Sequence, residues 1–258
     1  MGNASFAVEE HVGYVTIERE EALNAIDSPT KAEIIETLKG WRAGDEVHVV
    51  VVRSEGDRAF CAGGDLKEVR ELDYSLKAFT DTWEELFEVL TTMGAPTVAR
   101  VDGYALGGGF DLMLHCDFVV AADDAMLGQP EVGLGIVNHF SPPMLLQTVG
   151  LRKTMELLLT GEMVSGAEAE RIGLVTRSVP RDELDEAVDS LVDSLLAKSP
   201  RIVAKVKRGL YTSLDLSPSA ARAYLEAVAL ESARVDPDYR EGVAAQLEGR
   251  EPDWAASD

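Results

Sequence analysis

The stretch VDGYALGGGFDLMLHCD, residues 101–117, decides how this 258-residue chain folds. Thr97 to Val101 is a short β-prone run, and the glycines after it break the run before Phe110, Leu112 and Met113 lead on towards His115. A strand that gives way to a helix through a turn of bare backbone is the repeating step of an α/β fold. Gly107, Gly108 and Gly109 fall in the first turn of that helix. The N–H groups of a helix start have no partner within the helix and suit a developing negative oxygen. Asp111 follows three residues after Gly108 in otherwise apolar surroundings. Burying such an acid is costly unless it has a partner or a purpose.

Working outward, the same step recurs. Upstream, Val47 to Arg53 carries the continuous run Val49-Val50-Val51-Val52, as expected of a strand covered on both faces. A second glycine-rich junction, Ala59 to Glu68, follows it and leads into a helix. Two such junctions can supply the two donors of an oxyanion hole, or their glycines can simply allow tight strand-to-helix turns. Downstream, Phe118 to Ala122 is a third strand, and Glu131 stands in Gly128-Gln129-Pro130-Glu131 beyond another β-prone segment. A helix is expected over Ser75 to Met93, ending at Gly94 and Pro96. Near the N-terminus, Phe6 to Glu10 and Tyr14 to Glu18 read as a hairpin around His11-Val12-Gly13, and Ser28-Pro29 as the cap of a helix through Ile34, Leu38 and Trp41. The first 180 residues thus form an α/β pattern with parallel pairing. After Pro180 the pattern is helical only, with Ser199-Pro200, Ser217-Pro218 and Pro237 as separators. We divide the chain into a core over residues 1–198 and a helical region over 199–258, which must dock on its own core or on a neighbouring subunit.

Composition narrows the function. The 46 acidic residues face 24 basic ones, 16 Arg and 8 Lys, for a net charge of -22. That balance repels nucleic-acid backbones and anionic membranes. A lysine-poor, acid-rich surface is also a device for staying soluble in concentrated salt, so a halophilic cytoplasm is expected. Cys61 and Cys116 are the only cysteines, which leaves neither a disulfide scaffold nor a cysteine-based zinc site. Met1 to Val8 lacks a basic cluster followed by an apolar run, and no stretch of about 20 apolar residues occurs, so a cytoplasmic protein is expected. A GxxxxGK[ST] phosphate loop, HExxH, CxxC and GxSxG are all absent, and Gly103 to Gly109 misses the dinucleotide spacing. His11, His48 and His115 read as structural.

Taken together, Ala59 to Glu68, Val101 to Asp117, Gly128 to Glu131, Leu159-Thr160-Gly161 through Ala167 to Gly173-Leu174-Val175, and Tyr239-Arg240-Glu241-Gly242 resemble the enoyl-CoA hydratase/isomerase, or crotonase, superfamily. The resemblance spans nearly the whole chain in order. It implies an α/β spiral of ββα units with a helical C-terminal trimerisation region, packing as trimers or hexamers. It places the oxyanion-hole amides at Gly64 and Gly108, and CoA contacts at Ala22, Leu23, Arg58, Ala62, Gly64, Asp65, Leu66 and Lys67. Glu131 matches the proton-transferring acid and Asp111 the second acid. Asp at the latter place departs from the hydratases, whose two acids are glutamates, and falls roughly 1.5 Å short of Glu. Aspartate there resembles dienoyl-CoA isomerases, but their further acid, eight residues after Glu131, is His139 here. Ile136 to Pro143 replaces a Pro-Gly-rich turn, and its His139 and Phe140 are expected in the acyl pocket. The resemblance implies hydration of a 2-enoyl-CoA, with enoyl- or dienoyl-CoA isomerisation as the alternative and a non-catalytic scaffold as the rival of another class. Its substrate is an acyl-CoA thioester, with no metal and no cofactor beyond the coenzyme A of the substrate.

Overall fold

The computed structural model describes residues 3–254. Strands β1 (Ala4–Glu9) and β2 (Val12–Ile17) form the antiparallel opening hairpin. Its turn lies at Glu10 and His11, both at positive φ, one step before the expected position. Gly13 belongs to β2, and a Cβ there would stand 2.7 Å from the Trp41 ring. Helix α1 (Ser28–Ala43) packs on the sheet at that place. Its N-cap is Asp27 rather than Ser28, since the Asp27 carboxylate accepts the Thr30 N–H at 3.0 Å and leaves Ser28-Pro29 as the first helical residues.

Three ββα repeats follow. In the first, β3 (Val49–Ser54) leads to β4 (Ala59–Cys61) and then to α2 (Leu66–Glu71) and α3 (Leu76–Thr92). In the second, β5 (Thr97–Val101) leads to β6 (Tyr104–Leu106) and α4 (Gly108–Leu114). In the third, β7 (Phe118–Ala122) leads to β8 (Met126–Gly128), a 3-10 turn over Pro130–Leu134, then α5 (Ser141–Thr148) and α6 (Gly150–Thr160). The chain continues through β9 (Val164–Ser165), α7 (Gly166–Arg171), β10 (Arg177–Val179) and α8 (Leu184–Leu196). The long strands build one sheet in the order β1-β2-β3-β5-β7-β10, parallel beyond the hairpin. The short strands build a second sheet, β4-β6-β8-β9, parallel except for β9. This is a spiral of ββα units.

The core lies between these sheets and their helices. Val49 to Val52 are all buried, as a strand covered on both faces requires. Each such valine contributes roughly 1.5–3 kcal/mol. The C-terminal helices α9 (Pro200–Leu214), α10 (Pro218–Val235) and α11 (Pro237–Glu248) begin at Ser199, Ser217 and Asp236, each of which accepts an N–H of the first turn ahead of an N1 proline. A buried cation ties α9 to the core: Lys207 Nζ lies 2.6 Å from Asp117 Oδ2 and donates to the carbonyls of Leu90 and Ala95. Among the described residues no helix is long and apolar enough to cross a membrane.

Candidate active site

The second sheet assembles the site. Its three parallel strands end side by side, and each releases a loop at its C-terminal end: β4 into Ala62-Gly63-Gly64, β6 into Gly107-Gly108, and β8 into Gln129-Pro130-Glu131. Three loops far apart in the chain therefore face one cavity of about 220 Å³. Ala62, Gly64, Leu66, Gly108, Asp111, Glu131, His139 and Phe140 all line it.

Bare backbone is required where these loops meet. Gly63 has φ +102, and a Cβ on it would stand 3.1 Å from the Gly108 nitrogen. Gly107 has φ +54 and ψ -125, and its Cβ would stand 3.0 Å from Glu131 Oε1. A Cβ on Gly64 would enter the Phe79 ring and one on Gly108 the Trp83 ring. The Gly108 N–H opens α4 and lies outside its hydrogen-bond ladder. The Gly64 N–H donates to no backbone group of the described chain, while its neighbours Gly63 and Asp65 are fixed to Ile26. The two junctions thus stand against each other, and both Gly64 and Gly108 line the cavity.

The two acids are treated very differently. Asp111, on the first turn of α4, is fully enclosed. Its Oδ1 accepts from Gln129 Nε2 at 2.9 Å and from Ser141 Oγ, and its Oδ2 accepts from Asn138 Nδ2 at 3.0 Å. Burial pushes its carboxyl up to about 7, with the Glu131 charge adding to the shift and the three donors opposing it. Glu131 is held more loosely. Its Oε1 is 3.5 Å from Asn138 Nδ2, and its Oε2 is buried without a hydrogen-bond partner among the described residues. Burial raises its pKa as well.

Asn138 is the residue that links them. Its Oδ1 accepts the N–H groups of Phe140 at 2.9 Å and Ser141 at 3.0 Å, which fixes the amide so that Nδ2 faces the acids. Nδ2 has two hydrogens for three acceptors, Asp111 Oδ2, Gln129 Oε1 at 3.2 Å and Glu131 Oε1. The longest contact, to Glu131, is the one left weakest. In the sequence, residues 136–143 are legible only as a pocket wall. Their polar members Asn138 and Ser141, with Gln129, hold Asp111, and the signal for this is three uncharged hydrogen-bonding side chains near an acid in an apolar stretch.

The expected CoA residues outside the cavity, Ala22, Leu23, Arg58, Asp65 and Lys67, lie on two chain segments, 19–24 and 58–67. Leu23, in a left-handed turn after the short 3-10 helix Glu20–Ala22, accepts the Ala62 N–H at 3.0 Å. Arg58 donates to the Glu20 carbonyl at 2.7 Å. Asp65 caps α2 through the Lys67 N–H and pairs with Arg19 at 2.7 Å, so its carboxylate is held below its ordinary range against the opposing effect of burial. Lys67 is the second residue of α2 and is exposed. Phe79 and Trp83 of α3, which no motif pointed to, complete the cavity wall. His115 stacks on Phe87 with centroids 4.3 Å apart, and its Nδ1 donates to the Asp111 carbonyl of its own helix, away from the cavity.

A family model described as enoyl-CoA hydratase/isomerase matches residues 7–257. The chain is 34% identical over 247 residues to a probable enoyl-CoA hydratase of Mycobacterium tuberculosis, covering 95% of each chain. It is 32% identical over 252 residues to a crotonyl-CoA hydratase of Syntrophomonas wolfei, again covering 95% of each. Among solved structures, an enoyl-CoA hydratase from Bacillus anthracis superposes with a TM-score of 0.93 at 28% identity, covering 98% of each chain.

Proposed function

The chain belongs to the enoyl-CoA hydratase/isomerase family, and from that premise we propose that it adds water across the double bond of a 2-enoyl-CoA. The single observation that carries this reading is Glu131, with one buried carboxylate oxygen unpartnered among the described residues at a cavity that Gly64 and Gly108 also line. The thioester oxygen accepts from those two N–H groups. Glu131 takes a proton from water, whose oxygen forms the bond to C3 while the double-bond pair moves through C2 on to the thioester oxygen. As that enolate collapses, Glu131 returns the proton to C2. One H and one OH are added and the acid is restored.

Asp111 has a different task in this scheme. Three donors occupy three of its lone-pair positions, so it holds Asn138, and through Asn138 the Glu131 carboxylate, rather than serving as a second free base. The relatives carry hydratase names, which does not favour isomerisation. Incubation with crotonyl-CoA and with a 3-enoyl-CoA, with products weighed, tests the assignment. Gain of one water from crotonyl-CoA is expected; migration of the double bond without gain of mass would replace hydration by isomerisation, and no turnover of either would leave a scaffold.

The finer readings rest on the surface. Arg58, Lys67 and the Ala22–Leu23 turn support CoA binding beside Ala62 to Leu66, and no cofactor beyond the substrate's own coenzyme A enters the scheme. Exposed Val206, Leu210 and Leu214 on α9, with Leu230 and Val235 on α10, support a homotrimer or hexamer. The net charge of -22 supports a halophilic cytoplasm, without nucleic-acid or membrane partners.

A further inference from the structure

Lys31, near the start of α1, is entirely buried, and its surroundings are unusual for an ammonium group. Its Nζ lies 4.9 Å from the centroid of the Phe79 ring and 4.9 Å from that of the Trp83 ring. It also reaches the Phe79 carbonyl at 3.4 Å. Among the described residues it forms no ion pair. Three titratable groups face it: Glu68 of α2, which accepts the Ser28 N–H, and Asp27, which caps α1, attract the ammonium without touching it, and Cys61 of β4 stays a thiol because burial pushes it up to about 12. An apolar side chain would fill this place without the cost of burying a charge.

The two rings that hold Lys31 are the same two that press on the oxyanion-hole glycines. A Cβ on Gly64 would stand 2.2 Å from Phe79 Cζ, and one on Gly108 would stand 2.7 Å from Trp83 Cζ2. Lys31 therefore touches both halves of the hole through one ring each. We propose that Lys31 is a positioning residue for the reaction: its ammonium fixes Phe79 and Trp83 against Gly64 and Gly108, and places a buried positive charge behind the oxygen that becomes negative. The proposal deepens the hydratase reading and rests on it. Burial lowers the Lys31 pKa to about 8, so the charge is present below that pH and lost above it.

Lys31→Met separates this role from a structural one. Removing a buried charge raises stability, so the variant is expected to melt at a higher temperature at pH 7 while kcat on crotonyl-CoA falls about tenfold and KM stays within about twofold. Wild-type kcat is expected to fall as pH rises through about 8, and the variant to lack that limb. Calorimetry with two unreactive thioesters, acetoacetyl-CoA as its enolate and neutral butyryl-CoA, adds a readout free of turnover: the variant is expected to lose preference for the enolate. An unchanged kcat, an unchanged preference, or a wild-type profile with no limb near pH 8 overturns the proposal. Failure of the wild type to bind either thioester removes the acyl-CoA reading itself, and the proposal with it.

Discussion

Glu131 and Asp111 both line one cavity, yet three donors hold Asp111 while Glu131 has one long contact, and the work proposed for them differs accordingly. Glu131→Gln keeps the shape and the Asn138 contact but cannot take a proton from water. Its kcat should fall about 10²-fold or more while KM changes little, as steady-state rates on crotonyl-CoA will report. Near-normal turnover would remove Glu131 from the chemistry. Asp111 shows itself in stability. Its carboxyl is pushed up to about 7 when folded and titrates near about 3.9 when unfolded, so the folded state holds the extra proton between those values. Stability from this group is therefore present at low pH and declines as pH rises from about 4 to about 7. Asp111→Asn puts an amide among three donors, which costs roughly 1–3 kcal/mol at about pH 5. Between about pH 5 and about pH 8 the variant should regain on the order of 2 kcal/mol relative to wild type in urea unfolding. A constant difference across that range would show that Asp111 does not titrate in the fold.

At the level of elements, the long strands are legible because β-branched runs such as Val49 to Val52 can bury both faces, and β5 and β7 match the expected limits residue for residue. The strands that build the site are not. β4, β6 and β8 have three residues each, too few to show a period, and what defines them is pairing with one another across the chain. The glycines and acids of the site are readable from motif resemblance, whereas the Gln129-Asn138-Ser141 frame and the Phe79-Trp83 wall become visible only once distant segments meet. The β6–α4 junction gives the test of this architecture. Gly107→Ala must adopt φ +54 and ψ -125 with a Cβ 3.0 Å from Glu131 Oε1. Strain of roughly 1–3 kcal/mol is expected, together with a fall in kcat of at least about tenfold as the carboxylate is displaced. Thermal melts and initial rates measure both, and a Gly107→Ala variant as active and as stable as wild type would contradict the close approach.

For the molecule as a whole, the surplus of 22 negative charges is spread over a fold in which the buried ion pair of Lys207 with Asp117 joins the helical region to the core. Like charges on the surface repel, and molar salt shortens their range to about 3 Å. The buried pair is screened far less. Melting temperature should therefore climb steadily from low to molar KCl, and a flat or falling curve would contradict a surface adapted to salt. The order of the three ββα repeats has a separate consequence, for biosynthesis. Every residue that lines the catalytic cavity, among those described, lies between Ala62 and Phe140. A ribosome thus releases every cavity-lining residue by mid-chain, and the residues from α6 onward, which add β9 and β10 to the two sheets and Leu157, Leu174 and Leu184 to the core, emerge only afterwards to lock the cavity in place.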